Sequence, residues 1–237
     1  MSRTHELPCV FILDDDDAAG SALCYLLSSV GLDAKHISAP SNFLLLPVPT
    51  RPSCVLCDIC MPEMNGITVL EQARAHGWRS PFIILTAFGD VKVAVRAFKS
   101  GAVDLIEKPY SGAQVMEAVQ RAIGQDRARL EAEARHLDSS TRLKHLTPRE
   151  HDVLELVLVG LTNKEMADRL KISVKTIEVH RSRVMHKMGA RSSAELALRV
   201  VDGRGTSATR EPRQGFEVRA GADVPVPGLE RAARGGD

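Results

Sequence analysis

Pro52-Ser-Cys-Val-Leu-Cys-Asp58 is an apolar run that ends on a carboxylate. A turn, Ile59-Cys-Met-Pro-Glu-Met-Asn-Gly66, follows at once. Open α/β sheets place their chemistry beyond the carboxyl ends of buried strands. Three further apolar runs end in the same way. Val10-Phe-Ile-Leu13 enters Asp14-Asp-Asp-Asp17, Phe82-Ile-Ile-Leu85 enters Thr86, and Val103-Asp-Leu-Ile106 enters Glu107-Lys108-Pro109. Parallel strands would bring these ends to one edge of a sheet, gathering carboxylates, a hydroxyl and a lysine.

Strand patterns near 9–14, 33–37, 53–58, 81–86 and 103–107 alternate with helical patterns near 17–29, 40–46, 65–76, 90–100 and 111–123. Such alternation predicts a doubly wound parallel sheet with helices on both faces, a flavodoxin-like α/β fold. Several nearby carboxylates need a counter-charge, and oxygen-only ligands suit a hard cation such as Mg²⁺. Asp58 could then act as an aspartyl nucleophile toward a phosphoryl group, with Lys108 and the metal neutralising its oxygens. Asp16 and Asp17 are placed to cap the following helix.

In the order and spacing of Asp14, Asp15, Asp58, Thr86 and Lys108-Pro109, residues 8–123 resemble a response-regulator receiver domain. The resemblance implies that Asp58 is the phospho-acceptor. It implies Mg²⁺ held by Asp14, Asp15, Asp58 and the main-chain carbonyl of Cys60. It also implies a switch built from Thr86, the fifth-strand position Leu105 and a cis peptide before Pro109. Leu105 departs from the aromatic residue common at that position, which puts the usual coupling to Thr86 in question. Tyr110 is read as a packing residue. Phe88, close to the phosphoryl site, is expected to hinder the hydrolytic water.

The chain has 237 residues and 44% hydrophobic composition, enough for two domains with real cores. No apolar stretch reaches membrane-spanning length, and the polar start Met1-Ser-Arg-Thr-His-Glu6 is unlike a signal peptide, so a cytoplasmic protein without membrane contact is expected. Residues 1–123 carry 10 Lys and Arg against 13 Asp and Glu, whereas residues 141–202 carry 12 against 8. An acidic half and a basic half suggest separate partners. Residues 124–145 read as a helical linker that frays into Asp138-Ser-Ser-Thr141.

The second half repeats one device. Thr147-Pro-Arg-Glu150, Thr162-Asn-Lys-Glu165 and Ser192-Ser-Ala-Glu195 each read as a helix start with a capping box. Four helices follow, near 147–159, 163–170, 174–187 and 192–201, with only Lys171-Ile-Ser173 between the second and third. That is helix-turn-helix spacing, which predicts a small all-α domain. In the third helix Ile177, Val184 and Met188 are spaced for the core. The opposite face carries Lys175, Glu178, Val179, Ser182, Arg183 and, one turn on, Lys187. Such a helix suits the major groove, although charges alone favour an ordinary solvated surface helix.

Leu146-Thr-Pro-Arg-Glu150, Gly160-Leu-Thr-Asn-Lys-Glu-Met-Ala167 and Val174-Lys-Thr-Ile-Glu-Val-His180 resemble the LuxR-type DNA-binding domain over 146–201. The resemblance implies Glu178, Val179 and Ser182 toward base edges, and Lys164, Lys175, Thr176, Arg181 and Arg183 at or beside phosphates. A receiver followed by this domain resembles the FixJ/NarL-type response regulators, with details on the FixJ side. The resemblance implies a sensor histidine kinase as donor, a homodimer on phosphorylation and promoter DNA as target, and it allows RNA polymerase as a further partner. Such a chain is a regulator, not an enzyme, beyond transferring and losing its own phosphoryl group.

Rival classes follow from single residues. A haloacid-dehalogenase-like phosphatase wants a second aspartate where Cys60 stands, which argues against it. A phosphorylation-independent or thiol-sensing receiver draws on Leu105 and on Cys60 beside Asp58. Cys54-x-x-Cys57-x-x-Cys60 looks like a cluster-ligand run, but residues three apart on a strand point to opposite faces. No disulfide is expected. Residues 203–237, rich in Gly, Pro and Arg, are expected to be disordered.

Overall fold

The computed structural model describes residues 7–87 and 91–205. Five strands form one parallel sheet in the order β2-β1-β3-β4-β5. They are β1 (Cys9–Leu13), β2 (Asp33–Ile37), β3 (Ser53–Asp58), β4 (Phe82–Thr86) and β5 (Asp104–Glu107). The helices between them are α1 (Asp17–Ser28), α2 (Pro40–Leu44), α3 (Gly66–Ala75) and α4 (Val91–Lys99). β1, β3 and β4 are buried along their whole length, as continuous apolar runs require when helices cover both faces.

Alternate residues of each strand feed two cores. On one face Phe11, Val55, Cys57, Phe82 and Ile84 pack with Phe43 and Trp78; on the other Val10, Ile12, Cys54, Leu56, Ile83 and Leu85 pack with Leu23, Leu27 and Val119. Cys54 and Cys57 therefore lie on opposite faces of β3. Tyr110 packs at the margin of the second core and Leu105 at the margin of the first.

A single helix, α5 (Gly112–Lys144), leaves the sheet and runs into the second half. The expected fraying at 138–141 does not occur. Ser139 and Leu143 are buried, and Leu143 joins the second-half core. A Cβ on Gly203 would lie 2.9 Å from the Ser139 carbonyl carbon, so two small residues let the helices approach closely. Tertiary packing outweighs the weak helix preference of Ser and Thr.

The second half contains α6 (Pro148–Leu158), α7 (Asn163–Leu170), α8 (Val174–Met188) and α9 (Ser193–Arg204). Thr147 with Glu150 and Thr162 with Glu165 form reciprocal capping boxes. At the third start Ser192 caps Glu195 N, but the Glu195 carboxylate accepts from Arg191 N and Arg199 instead. Lys171 closes α7 in the left-handed conformation, φ 54°, turning the chain into α8. α9 runs two residues into the segment expected as a tail because Gly203 packs on α5; residues 206–237 lie outside the described residues. Among the described residues no helix is long and apolar enough to cross a membrane.

Candidate functional site

At the carboxyl edge of the sheet Asp14, Asp58, Thr86 and Lys108 come together. Asp14 and Asp58 are 1% and 5% exposed, and Thr86 is fully buried. Lys108 Nζ lies 2.7 Å from Asp58 Oδ1 and 3.1 Å from Asp14 Oδ2, bridging the two carboxylates. Its main-chain N–H donates to the Thr86 carbonyl at 2.7 Å, which ties the end of β5 to the end of β4. The Lys108–Pro109 peptide is cis. Burial disfavours the Lys108 ammonium, but hydrogen bonds to Asp58 and then Asp14 outweigh it, and its pKa is raised overall.

The loop after β3 is shaped around Asp58. The Cys60 N–H donates to Asp58 Oδ2 at 2.8 Å, and Ile59 N–H to the Leu85 carbonyl at 2.9 Å. A Cβ on Gly66 would stand 2.2 Å from the Asp58 carbonyl oxygen, so only glycine permits the return of the loop there. Asn65 then caps α3.

On the β1 side Asp16 N–H donates to Asp14 Oδ1 at 3.0 Å. Asp16 caps α1 by accepting from Ala18 and Ala19 N–H; Asp17 is the first helical residue, not the cap. Asp15 is exposed. Two buried carboxylates share one ammonium, so the cluster keeps net negative charge even before Asp15 is counted, and its donors are oxygens. That chemistry fits a hard divalent cation. Among the described residues no three His, Cys, Asp or Glu side chains are gathered as a metal cage. For Asp14, Asp15, Asp58 and the Cys60 carbonyl to share one ion, Asp15 must turn inward. Phe88 lies outside the described residues.

All five cysteines are free thiols, and only Cys60 is exposed. Burial pushes the Cys54 and Cys57 thiols far up, so both are inert apolar fillers.

A second polar cluster lies at the opposite edge of the sheet. Asp126 of α5, its side chain fully buried, accepts from Ser53 N–H at 2.9 Å and pairs with Arg129 at 2.8 Å. Ser53 Oγ also meets Ser80 Oγ at 2.8 Å. An acid in a charge-rich helical stretch looks solvated in sequence; the serines at the starts of neighbouring strands were its only signal.

In the second half α7, the turn at 171–173 and α8 form a helix-turn-helix. Ile177, Val184 and Met188 are fully buried, while Lys175, Glu178, Val179, Ser182 and Arg183 are exposed, as is Lys164 on α7. Thr176 is half-buried and shares its hydroxyl with the Ser173 cap at 2.8 Å. Arg181 donates to Asn163 Oδ1 and Ser193 Oγ, bracing α8 against the starts of α7 and α9. Lys187 corrects the sequence reading. It turns inward to Glu150 at 2.6 Å and to the His145 carbonyl, because the Glu150 carboxylate of the capping box is buried and needs a counter-charge. Arg142 of α5 donates to the Lys187 carbonyl at 3.2 Å, so the long helix also touches the end of α8.

Residues 10–120 match the response regulator receiver domain, and residues 144–200 match the bacterial regulatory proteins of the luxR family. The chain is 38% identical to the transcriptional regulatory protein FixJ of Azorhizobium caulinodans, over 79% of this chain and 89% of that one. It is 39% identical to the C4-dicarboxylate transport transcriptional regulatory protein DctR of Rhodobacter capsulatus, over 79% and 96%. Among solved structures, the response regulator StyR aligns with a TM-score of 0.74 at 34% identity, over 82% of this chain and 98% of that one. Full-length FixJ from B. japonicum aligns with a TM-score of 0.51 at 36% identity, over 83% and 97%.

Proposed function

Because the chain belongs to the FixJ-type two-component response regulators, transcriptional regulators with a receiver and a LuxR-type DNA-binding domain, we propose that Asp58 is the phospho-acceptor and that its charge state governs DNA binding. The observation that carries this reading is the Lys108 ammonium seated between the buried carboxylates of Asp14 and Asp58. A sensor histidine kinase is the donor. An Asp58 carboxylate oxygen attacks phosphorus, the phosphorus–nitrogen bond of the phosphohistidine breaks, and the imidazole leaves with its electron pair. Asp14, Asp15, Asp58 and the Cys60 carbonyl would hold Mg²⁺, which would supply positive charge to the phosphoryl oxygens. Lys108 follows the transferred group, keeping its bond to Asp14 until the new oxygens compete for it. The Thr86 hydroxyl turns to donate to a phosphoryl oxygen, and Leu105, which on β5 lies opposite Ile84, two residues before Thr86 on β4, repacks as the switch element ahead of Pro109.

We assign residues 8–123 to the receiver and 124–145 to a helical linker. The DNA-binding domain takes 146–204, the last helix extending the expected end at 201. Phosphorylation favours a homodimer, which presents two recognition helices to half-sites about one DNA turn apart. Glu178, Val179 and Ser182 face base edges; Lys164, Lys175, Thr176 and Arg183 approach phosphates. Arg181 acts mainly through its braces to Asn163 and Ser193. RNA polymerase bound nearby is the natural recipient of the signal. A regulator of promoters works beside the chromosome, in the bacterial cytoplasm.

The test is selection of duplexes from a random pool by the full chain with acetyl phosphate and Mg²⁺, followed by sedimentation with the selected DNA. A paired half-site bound by a dimer, and bound more weakly by Asp58→Ala, is expected. Equal binding by Asp58→Ala would refute the reading. The exposed Cys60 beside Asp58 favours one second reading, a thiol-governed receiver; it requires mild peroxide to alter phosphorylation of the wild type but not of Cys60→Ser.

A further inference from the structure

His36 belongs to none of the motifs above. It lies near the end of β2, opposite Ile12 of β1. Its side chain is 17% exposed, with Nδ1 3.8 Å from Asp17 Oδ1. Nε2 is 2.8 Å from the main-chain oxygen of Asp14. A carbonyl oxygen only accepts, so Nε2 carries the hydrogen and donates it. β1 ends at Leu13, and Asp14 is the residue at which the chain leaves the sheet. The imidazole supplies a donor to this carbonyl just past the strand.

The ring has this seat because residue 20 lacks a side chain. A Cβ on Gly20 would stand 2.2 Å from His36 Cδ2 and 2.3 Å from Nε2. Gly20 is buried inside α1, where helix preference alone favours alanine. The glycine thus runs against local preference, and the imidazole fills the space it leaves.

We propose that His36, seated against Gly20, is a positioning residue for cation binding: by holding the Asp14 carbonyl it fixes the peptide between Asp14 and Asp15 and so aims both carboxylates. The chain of effects is short. Asp14 Oδ1 already takes Asp16 N–H and Oδ2 takes Lys108. With the carbonyl also held, the backbone torsion leading to Asp15 has little freedom, and this fixes the point from which the exposed Asp15 side chain turns inward to an ion. The inference rests on the proposed Mg²⁺ reading.

The test uses the unphosphorylated full chain and Mn²⁺, followed by loss of the free-ion electron paramagnetic signal, with Mg²⁺ competing. His36→Leu keeps bulk but removes the donor. It is expected to weaken binding about tenfold, the lower end of what lost partners behind metal ligands cost. His36→Gln places an N–H the same number of bonds from Cβ and is expected to recover part of the loss. Gly20→Ala displaces the ring from the other side and is expected to weaken binding as well. In the His36→Leu background Gly20→Ala is expected to add nothing further, because the contact is already gone. Circular dichroism at the titration temperature confirms folding; should His36→Leu unfold, Gly20→Ala and His36→Gln carry the test. Unchanged affinity in folded His36→Leu, or in folded Gly20→Ala, would overturn the proposal, as would full additivity of the two. No binding by the wild type would instead overturn the metal reading beneath it.

Discussion

Replacing Asp126 with alanine removes the acceptor that joins α5 to the start of β3. In the wild type its Oδ2 takes the buried Ser53 N–H at 2.9 Å and its Oδ1 takes Arg129 Nε at 2.9 Å. A buried N–H left without a partner costs about 1–3 kcal/mol, and breaking a buried ion pair from one side costs about 3–5 kcal/mol. The lower part of that range applies, because Arg129 is partly exposed and keeps Glu133 at 2.8 Å. Asp126→Ala should therefore destabilise the receiver by about 3 kcal/mol. Asp126→Asn still offers an oxygen to Ser53 N–H and loses only the charge toward Arg129. It should cost about 1–2 kcal/mol, the worth of a charge-assisted bond over a neutral one. The assay is urea unfolding of the full chain followed by fluorescence. Trp78 is the sole tryptophan and is buried in the receiver core, so the signal reports that domain. Equal costs for the two variants, or a cost below about 0.5 kcal/mol for alanine, the usual size of a surface substitution, would refute the reasoning.

Three further outcomes are expected. The Lys187 hydrogen bond holds the Glu150 carboxyl down at about 2, from an ordinary value of 4.5. A depressed folded-state pKa adds stability that is complete above the ordinary value and is lost as pH falls toward the folded one. The gap in unfolding free energy between wild type and Glu150→Gln should thus be full above pH 4.5 and close as pH falls to about 2; acid titration at fixed urea reads it, and a pH-independent gap would contradict the assignment. On α8, Lys175→Ala should weaken binding to all duplexes alike and lower the salt slope by about one, whereas Glu178→Ala should relax preference at one base position. Binding isotherms across salt, run on a panel of single-base variants, separate the two effects.

The sheet and its acidic edge were legible because strand periodicity, length and terminal residues all agree. Val10–Leu13 and Phe82–Leu85 show no polar alternation, and parallel pairing then dictates that Asp14, Asp58 and Thr86 share an edge. The helix-turn-helix was legible through its caps, since Thr147, Thr162 and Ser192 each mark a start. What escaped depends on contacts between distant segments. Asp138-Ser-Ser-Thr141 looks like a fraying end until Gly203 is packed against Ser139. Lys187 looks like a groove-facing base until the Glu150 carboxylate is seen to be buried. Asp126 hides in a charge-rich helix, and His36 hides because a lone histidine on a strand carries no pattern. In each case local preference is weak and a partner far along the chain decides the outcome.

The most direct test of the central claim is intact mass after incubation with acetyl phosphate and Mg²⁺. The account predicts one added phosphoryl group on the wild type, absent without Mg²⁺ and absent from Asp58→Ala. An unmodified wild type under rapid quenching, or an adduct that persists in Asp58→Ala, would contradict it.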